Sequence, residues 1–131
     1  MIDLALNNTG ENVSIKAISA RQNISTKYLE QIISMLNRAG YVKSERGSNG
    51  GYKLAKSPEE YTVGMILRLT EGSLSITPCT IDEDNQCGRY SSCPTVRLWE
   101  KINKAISDVV DNITIADLAE EEQSEANNFV I

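Results

Sequence analysis

All three cysteines of the chain lie in one short polar stretch, C-T-I-D-E-D-N-Q-C-G-R-Y-S-S-C-P. They are Cys79, Cys87 and Cys93, separated by seven and then by five residues. Thiolates are soft ligands that select iron-sulfur clusters, zinc and Cu(I). Structural zinc would normally come with C-x-x-C pairs and four ligands, and this stretch has neither. Spacing alone therefore leaves several interpretations open: a cluster site, redox-active thiols, the less favoured zinc site, and three unrelated free cysteines.

The length and composition are those of a globular protein with at most one domain and a short additional segment. The chain has 131 residues, of which 40% are hydrophobic and 24% charged. No apolar run approaches the roughly 20 residues that a membrane-spanning helix needs. The start, M-I-D-L-A-L-N-N-T-G, lacks the basic segment of a secretory signal. An odd number of thiols also fits a reducing compartment, so the sequence predicts a cytoplasmic protein with no membrane partner.

Charge is distributed unevenly along the chain. The formal net charge is -5, but residues 1–56 carry eight basic and four acidic residues, so their net charge is +4 and that of the remainder is -9. Phosphate binding requires a cationic surface, and the first part of the chain offers one. By itself this segregation is more typical of an ordinary solvated surface than of a phosphate-binding one.

Two helices joined by a tight turn are predicted within the basic part. The first begins after Ser14, a good N-cap, and stops at Gln22 and Asn23. The second begins after Ser25 and ends at Gly40. Its apolar residues recur at the spacing of one helix face: Leu29, Ile32, Ile33 and Leu36.

The opposite face of the second helix is polar. It carries groups suited to base edges and phosphates: Lys27, Tyr28, Glu30, Gln31, Ser34 and Arg38. Two helices joined by a short turn, with a polar free face on the second, predict a helix-turn-helix.

A hairpin is predicted directly after these helices. Two short β-type runs, 41–45 and 52–55, flank R-G-S-N-G-G, whose glycines permit the backbone angles of a tight turn. Arg46 stands at the shoulder of this hairpin, where an arginine can enter the minor groove. Because the hairpin follows a helix-turn-helix, we interpret it as a wing rather than an ordinary surface loop.

The remaining helices predict a core and a dimer. T-V-G-M-I-L-R-L-T-E-G reads as a helix between Thr62 and Gly72, and the longest periodic stretch runs from about Pro94 to Asn112, or ~28 Å. A small winged helix cannot cover its apolar band, so a second copy of the chain is the expected partner. That band consists of Leu98, Trp99, Ile102, Ala105, Ile106, Val109 and Val110.

The fold class follows from these elements. We predict a mainly α protein with a small β wing, built from a winged helix-turn-helix domain and a long dimerisation helix. A short helix starting near Thr114 and Asp117 is expected before the acidic run E-E-E-Q-S-E.

Two other classes of protein remain open on these observations. A small thiol oxidoreductase would use Cys87 or Cys93, but the chain has no C-x-x-C motif and no histidine. A protein-interaction module would explain the apolar helix but not the basic part. A DNA-binding protein that is not an enzyme is the favoured interpretation.

The chain resembles the Rrf2 family of bacterial winged-helix regulators, and its iron-sulfur cluster regulators in particular. The resemblance is carried by Y-L-E-Q, by G-Y-V-K-S-E-R-G, by the G-G-Y of the wing, by the three-cysteine loop and by L-W-E-K-I-N-K-A-I-S-D-V-V-D-N-I-T-I-A-D-L. It covers nearly the whole chain.

The resemblance implies partners, a cofactor and a role for each candidate residue. It implies a homodimer on palindromic promoter double-stranded DNA and an iron-sulfur cluster, with a 2Fe-2S cluster favoured over 4Fe-4S. It implies three segments: a DNA-binding domain at 1–75, a cluster-binding loop at 76–93, and a dimerisation helix with an acidic tail at 94–131. Lys27, Tyr28, Glu30 and Gln31 match the groove-facing part of the recognition helix and Arg46 the wing arginine, and the cluster ligands correspond to Cys79, Cys87 and Cys93.

The sequence departs from the family pattern in two places. Family members usually begin earlier, so we expect a shortened first helix, and the ligand that some members take from that segment has no counterpart. Other members use a histidine three residues after the last cysteine, where this chain has Val96. The fourth ligand stays unassigned, with an external thiol, solvent, or one of three acidic residues as candidates: Asp82, Glu83 and Asp84.

The function that the resemblance implies is regulation of transcription. The expected protein is a repressor that senses cluster or redox status and controls genes of iron-sulfur assembly or cysteine metabolism. A thiol-based or cluster-free regulator of the same family is the alternative.

Overall fold

The secondary structure is mainly helical. The computed structural model describes residues 1–81 and 88–128. These residues form six α-helices and one two-stranded antiparallel sheet: α1 (Ile2–Leu6), α2 (Ile15–Gln22), α3 (Thr26–Arg38), β1 (Val42–Glu45), β2 (Gly51–Leu54), α4 (Val63–Glu71), α5 (Val96–Val110) and α6 (Ile115–Asn128). Two 3-10 helices, Pro58–Glu60 and Pro78–Thr80, connect them. The predicted mainly α fold with a small β wing is confirmed.

Two compact units make up the described chain. Residues 1–62 pack together with helix α6, and the described residues between 63 and 113 form the second unit. The predicted functional segments, 1–75, 76–93 and 94–131, stay a prediction. No helix of the described ranges is both long and apolar enough to cross a bilayer.

The helix-turn-helix elements begin and end where their capping residues predict. Ser14 Oγ accepts a hydrogen bond of 3.1 Å from the backbone N–H of Ala17, and Ser25 Oγ accepts one of 3.2 Å from that of Tyr28. Asn23 ends α2 in the left-handed region at φ 53°, a conformation that asparagine tolerates. The short turn and the start of α3 are therefore determined locally.

The wing hairpin pairs Val42 with Leu54 and Glu45 with Gly51. A third segment, which the sequence pattern did not reveal, joins it: Val13 and Tyr52 exchange two backbone hydrogen bonds of 2.8 Å. Gly51 permits this approach, because a Cβ at its position would lie 2.5 Å from the carbonyl oxygen of Val13. The wing is thereby attached to the segment that leads into α2.

Tyr61 of the first unit is almost fully buried, with 1% of its surface exposed. Its hydroxyl donates to the carbonyl oxygen of Tyr41 at 2.7 Å and accepts from the backbone N–H of Lys56 at 3.1 Å. Burial of this polar tip is favourable because both bonds are made. The surrounding apolar core consists of Leu4, Ile18, Ile33, Leu36, Val42, Leu54, Ile115 and Ala119.

Helix α6 is longer than predicted. Thr114 and Asp117 cap its start reciprocally, as expected, with hydrogen bonds of 2.9 and 3.0 Å. The helix then continues through the acidic run to Asn128, where a short helix and a tail were predicted. Glutamate, glutamine and alanine are good helix formers, and Ile115 and Ala119 anchor the helix by burial.

The second unit contains α4 and α5. Helix α4 ends at Glu71 and is followed by Gly72, at φ 80°, and α5 starts two residues after Pro94. Arg68 of α4 forms a two-bond pair with Asp111, at 2.5 and 3.1 Å, beyond the end of α5. Gly64 leaves room for this pair, because a side chain there would overlap the Asp111 carboxylate.

Candidate nucleic-acid interface and cysteine segment

The polar face of α3 is presented to solvent. Its four predicted contact residues are exposed, and the Tyr28 side chain is 56% exposed: Lys27, Tyr28, Glu30 and Gln31. The opposite face of the helix is buried, with Ile33 at 8% and Leu36 at 3% exposure. This arrangement leaves a row of hydrogen-bonding side chains available to a groove, while their contact with DNA stays a prediction.

The wing displays Arg46 and is held by a contact that the sequence did not reveal. Arg46 follows β1 directly and is exposed. Asn12 Nδ2 donates to Glu45 Oε2 at 2.8 Å and to the carbonyl oxygen of Asn49 at 3.2 Å. Lys53 Nζ lies 3.7 Å from Glu45 Oε1. One asparagine thus bridges the two sides of the turn that carries Arg46.

A second unanticipated contact joins α1 to the end of α2. Asp3 is 8% exposed, and its carboxylate accepts hydrogen bonds from Arg21 Nε at 3.0 Å, Arg21 Nη2 at 2.7 Å and Gln22 Nε2 at 2.9 Å. A longer one comes from Asn7 Nδ2 at 3.5 Å. The Arg21 guanidinium holds the pKa of Asp3 below its ordinary value. The basic part of the sequence includes Arg21, whose side chain is 40% exposed and whose guanidinium is paired with Asp3.

The cysteine stretch is described at both of its ends. Cys79, in the 3-10 helix Pro78–Thr80, is half-buried and its Sγ donates to Thr77 Oγ1 at 3.4 Å. Cys93 is half-buried, and its Sγ lies 3.2 Å from Thr95 Oγ1. The hydrogen bond from the Thr95 side chain lowers the pKa of Cys93. Cys87, with the candidate ligands Asp82, Glu83 and Asp84, lies outside the described residues.

Two of the three predicted thiol ligands lie among the described residues, and thiols are the donor type that binds soft metals and iron-sulfur clusters. Among the described residues no three metal-ligating side chains come together. Both described cysteines are free thiols, and the hydrogen bond from Thr95 lowers the pKa of Cys93, which increases its share of the thiolate, the form that binds metals.

A network of hydroxyl groups surrounds Cys79. Thr80 Oγ1 lies 2.8 Å from Thr77 Oγ1 and 2.6 Å from Ser75 Oγ. Asn103 of α5 donates to Ser75 Oγ at 3.0 Å and to Thr80 Oγ1 at 2.9 Å, and its Oδ1 accepts from the backbone N–H of Ile76 at 3.1 Å. The segment that carries Cys79 therefore rests on helix α5.

The apolar band of α5 is incompletely covered. Leu98 is 49% exposed and Val109 57%, and only Val96 of this helix is buried. Trp99, Ile102, Ile106 and Val110 are half-buried. A band of this kind is typical of a helix that packs against another surface.

Comparison with known proteins gives one consistent family. The Rrf2 family model, described as an iron-dependent transcriptional regulator, matches residues 1–121. The transcriptional regulator IscR of Pectobacterium carotovorum is 41% identical over 118 residues, covering 90% of this chain and 71% of that protein.

Solved structures agree with this family. CymR, the global cysteine regulator of B. subtilis, has a TM-score of 0.74 at 38% identity and covers 92% of this chain and 87% of its own. T. potens IscR has a TM-score of 0.72 at 40% identity, with 92% and 78% covered. These relatives are regulators, so the prediction that the chain is not an enzyme is confirmed. On the matched residues, the identity and the shared fold, the chain belongs to the Rrf2 family of transcriptional regulators, in the IscR-like subgroup.

Proposed function

We propose that the chain represses transcription by binding promoter DNA with helix α3 and the wing. The observation that carries this proposal is the exposed row of Lys27, Tyr28, Glu30 and Gln31 beside the exposed Arg46, in a chain of a transcriptional-regulator family. Glutamine and lysine can hydrogen-bond base edges in the major groove, and an arginine on the wing suits the narrower minor groove. A protein with this role would act in the cytoplasm.

The proposed DNA-binding form is a homodimer on a palindromic site. The exposed apolar residues Leu98 and Val109 support α5 as the dimer seam. A twofold protein symmetry would place two copies of α3 in major grooves about one helical turn apart.

The proposed sensor is an iron-sulfur cluster held by Cys79, Cys87 and Cys93. Three thiolates and one further donor would complete the four iron ligands of a 2Fe-2S cluster, and a 4Fe-4S cluster has the same requirement. When bound, such a group supplies one-electron redox chemistry and sensitivity to iron and oxidants. The lowered pKa of the Cys93 thiol, caused mainly by the Thr95 hydrogen bond, favours ligation at that position.

The cysteines would control DNA binding by shifting a population. Ligation restrains the segment between α4 and α5, whereas loss of ligation releases it, and the two forms differ in operator affinity. Genes of iron-sulfur assembly or cysteine supply are the proposed targets, since relatives of the chain are named IscR and the global cysteine regulator CymR.

Direct thiol sensing is the second candidate function. It is favoured by the Cys93 thiol, whose depressed pKa increases the thiolate fraction available to an oxidant. A CymR of Staphylococcus aureus with a TM-score of 0.66 to this chain has been solved in an oxidised form. In this version Cys93 reacts alone, and no iron is bound.

Anaerobic purification with an absorption spectrum and iron and sulfide analysis tests the cluster. Cys79→Ala, Cys87→Ala and Cys93→Ala should each abolish or severely reduce visible absorption, because no neighbour replaces a lost thiolate. If the protein contains no iron, and the three substitutions affect its response to oxidants unequally with Cys93→Ala having the largest effect, the result would instead identify direct thiol sensing.

A gel shift with promoter fragments tests the link to DNA. Cluster-loaded and cluster-free protein should differ several-fold in operator affinity at matched salt, or by about 1 kcal/mol or more. Equal affinities in protein of measured iron content would rule out control of DNA binding by the cluster.

A further inference from the structure

We infer that Asn103 is a positioning residue that fastens the segment carrying Cys79 to helix α5. Every polar atom of its side-chain amide is used on that segment: the oxygen accepts from the Ile76 N–H, and the nitrogen donates to Ser75 and Thr80. The three distances, 3.1, 3.0 and 2.9 Å, lie in the normal hydrogen-bond range. Among the described residues, no other α5 side chain forms a hydrogen bond with residues 75–80.

A continuous chain of hydrogen bonds leads from the thiol to the helix. Cys79 Sγ contacts Thr77 Oγ1 at 3.4 Å, Thr77 Oγ1 lies 2.8 Å from Thr80 Oγ1, and Asn103 Nδ2 lies 2.9 Å from the same Thr80 oxygen. Thr80 is the central member, because its hydroxyl also contacts Ser75 and the Thr77 carbonyl oxygen. A side chain on α5 thus orients a cysteine that is distant in sequence.

Because Asn103 holds the Cys79 segment against α5, it links the state of Cys79 to this helix. The inference depends on the proposed function only in treating Cys79 as a ligand or reactive thiol. Since hydrogen-bonded networks of this kind hold one arrangement, a change at Cys79 that displaces Thr77 and Thr80 must also alter the contacts of Asn103. Asn103 therefore connects the state of the cysteine segment to the helix proposed as the dimer seam.

Thiol modification of cluster-free protein tests the positioning without requiring a cluster. In a chain that retains only Cys79, with Cys87→Ser and Cys93→Ser, Asn103→Ala should speed reaction with Ellman's reagent roughly fivefold or more, because local opening becomes easier. Lys104→Ala is the matched control. It is a neighbour on the exposed side of α5 whose pair with Asp108 at 2.6 Å does not involve the cysteine segment.

A second single-cysteine variant distinguishes a positioning effect from a general loss of stability. In protein that retains only Cys93, Asn103→Ala should leave the rate within about twofold of the parent, whereas general unfolding would accelerate both cysteines. Thr80→Val removes the central hydroxyl and should accelerate Cys79 in the same way, and combining it with Asn103→Ala should add little.

The modification rates of Cys79 and Cys93 decide whether Asn103 positions the Cys79 segment. An unchanged Cys79 rate in Asn103→Ala, or equal acceleration of Cys79 and Cys93, overturns the inference. If circular dichroism shows that Asn103→Ala does not fold, Asn103→Asp provides the test: it keeps the acceptor for the Ile76 N–H but loses the N–H donors to Ser75 and Thr80. Its Cys79 rate should exceed that of the parent, while its Cys93 rate stays within about twofold. A parent protein that binds no iron would refute the proposed cluster while leaving this result intact. In reconstituted protein with all cysteines, Asn103→Ala should also release iron to a chelator faster than Lys104→Ala.

Discussion

At the scale of single residues, the chain uses charged side chains in two different ways. Asp3 is buried, and its carboxylate accepts hydrogen bonds from Arg21 and Gln22. The Lys104–Asp108 pair lies on the surface, with both side chains more than half exposed. Burial strengthens a hydrogen-bonded charge pair, so removing one partner lowers the free energy of unfolding substantially. Solvent screens an exposed pair, so removing one of its partners changes that free energy little. The two aspartates therefore form a matched comparison within one protein.

Asp3→Asn should lower the free energy of unfolding by about 1–3 kcal/mol at pH 7, because charge-assisted hydrogen bonds from Arg21 and Gln22 are lost. Arg21 holds the pKa of Asp3 below its ordinary value in the folded state. A carboxyl of this kind stabilises the fold above the unfolded pKa, and its contribution disappears as the pH falls through the lower folded pKa. The difference between parent and variant should therefore shrink below about pH 4.

Urea titrations across this pH range provide the measurement. Asp108→Asn, the surface control, should change the free energy of unfolding by at most about 0.5 kcal/mol. A pH-independent difference for Asp3→Asn would show that the pairing of its charge contributes nothing.

At the scale of elements, the proposed DNA contacts give α3 and the wing complementary tasks. The α3 face offers side chains that can distinguish bases, while the wing offers Arg46, a charge. Base contacts specify a sequence and phosphate or minor-groove charge contacts add affinity. The two elements should consequently respond differently to substitution.

Gln31→Ala should relax the preference at one base position by ~1–3 kcal/mol, whereas Arg46→Ala should weaken binding to all sequences and reduce the salt dependence. Binding to a set of operator variants at several salt concentrations measures both effects. Gln123→Ala and Lys101→Ala, exposed residues outside the predicted interface, are the amide and charge controls. Identical profiles for parent and both test variants would remove these residues from the interface.

Asn12→Ala should weaken DNA binding although Asn12 need not touch DNA, because its bonds to Glu45 and Asn49 orient the turn that carries Arg46. We expect a loss of roughly three- to tenfold, and little further loss when Arg46→Ala is added. The measurement is operator affinity in a double-mutant cycle.

Asn49→Ala is the matched control for this cycle. Asn12 contacts the backbone oxygen of Asn49, which the substitution retains, so affinity should stay near that of the parent. Fully additive effects of Asn12→Ala and Arg46→Ala would mean that Asn12 acts independently of the wing arginine.

At the scale of the whole molecule, the apolar band of α5 should decide assembly. Ile106→Glu should yield monomers or aggregates, because a dimer seam would bury an unpaired carboxylate. Sedimentation measures the change, and palindrome binding should be lost with it. The exposed Lys101→Glu on the same helix is the control and should stay dimeric. An intact Ile106→Glu dimer would place the interface elsewhere.

The local signals of the sequence determined where the elements begin and end. Ser14, Ser25, Gly40 and Gly72 act through bonds or backbone angles within a few residues of themselves, so caps and stops are readable without tertiary structure. The period of α3 likewise separates its buried face from its exposed one. The length of α6 was underestimated because the acidic run was interpreted as a tail despite its helix-forming composition.

The tertiary structure decided the contacts between segments that are distant in the chain. Asn12 with Glu45, Asp3 with Arg21, and Asn103 with Thr80 are separated by 33, 18 and 23 residues. No local pattern marks them, because an isolated asparagine or aspartate has the same propensity whether it faces water or a partner. Only folding brings the two segments within the roughly 3 Å over which a hydrogen bond acts, and that short range is why the sequence alone determined the elements but not the contacts that join them.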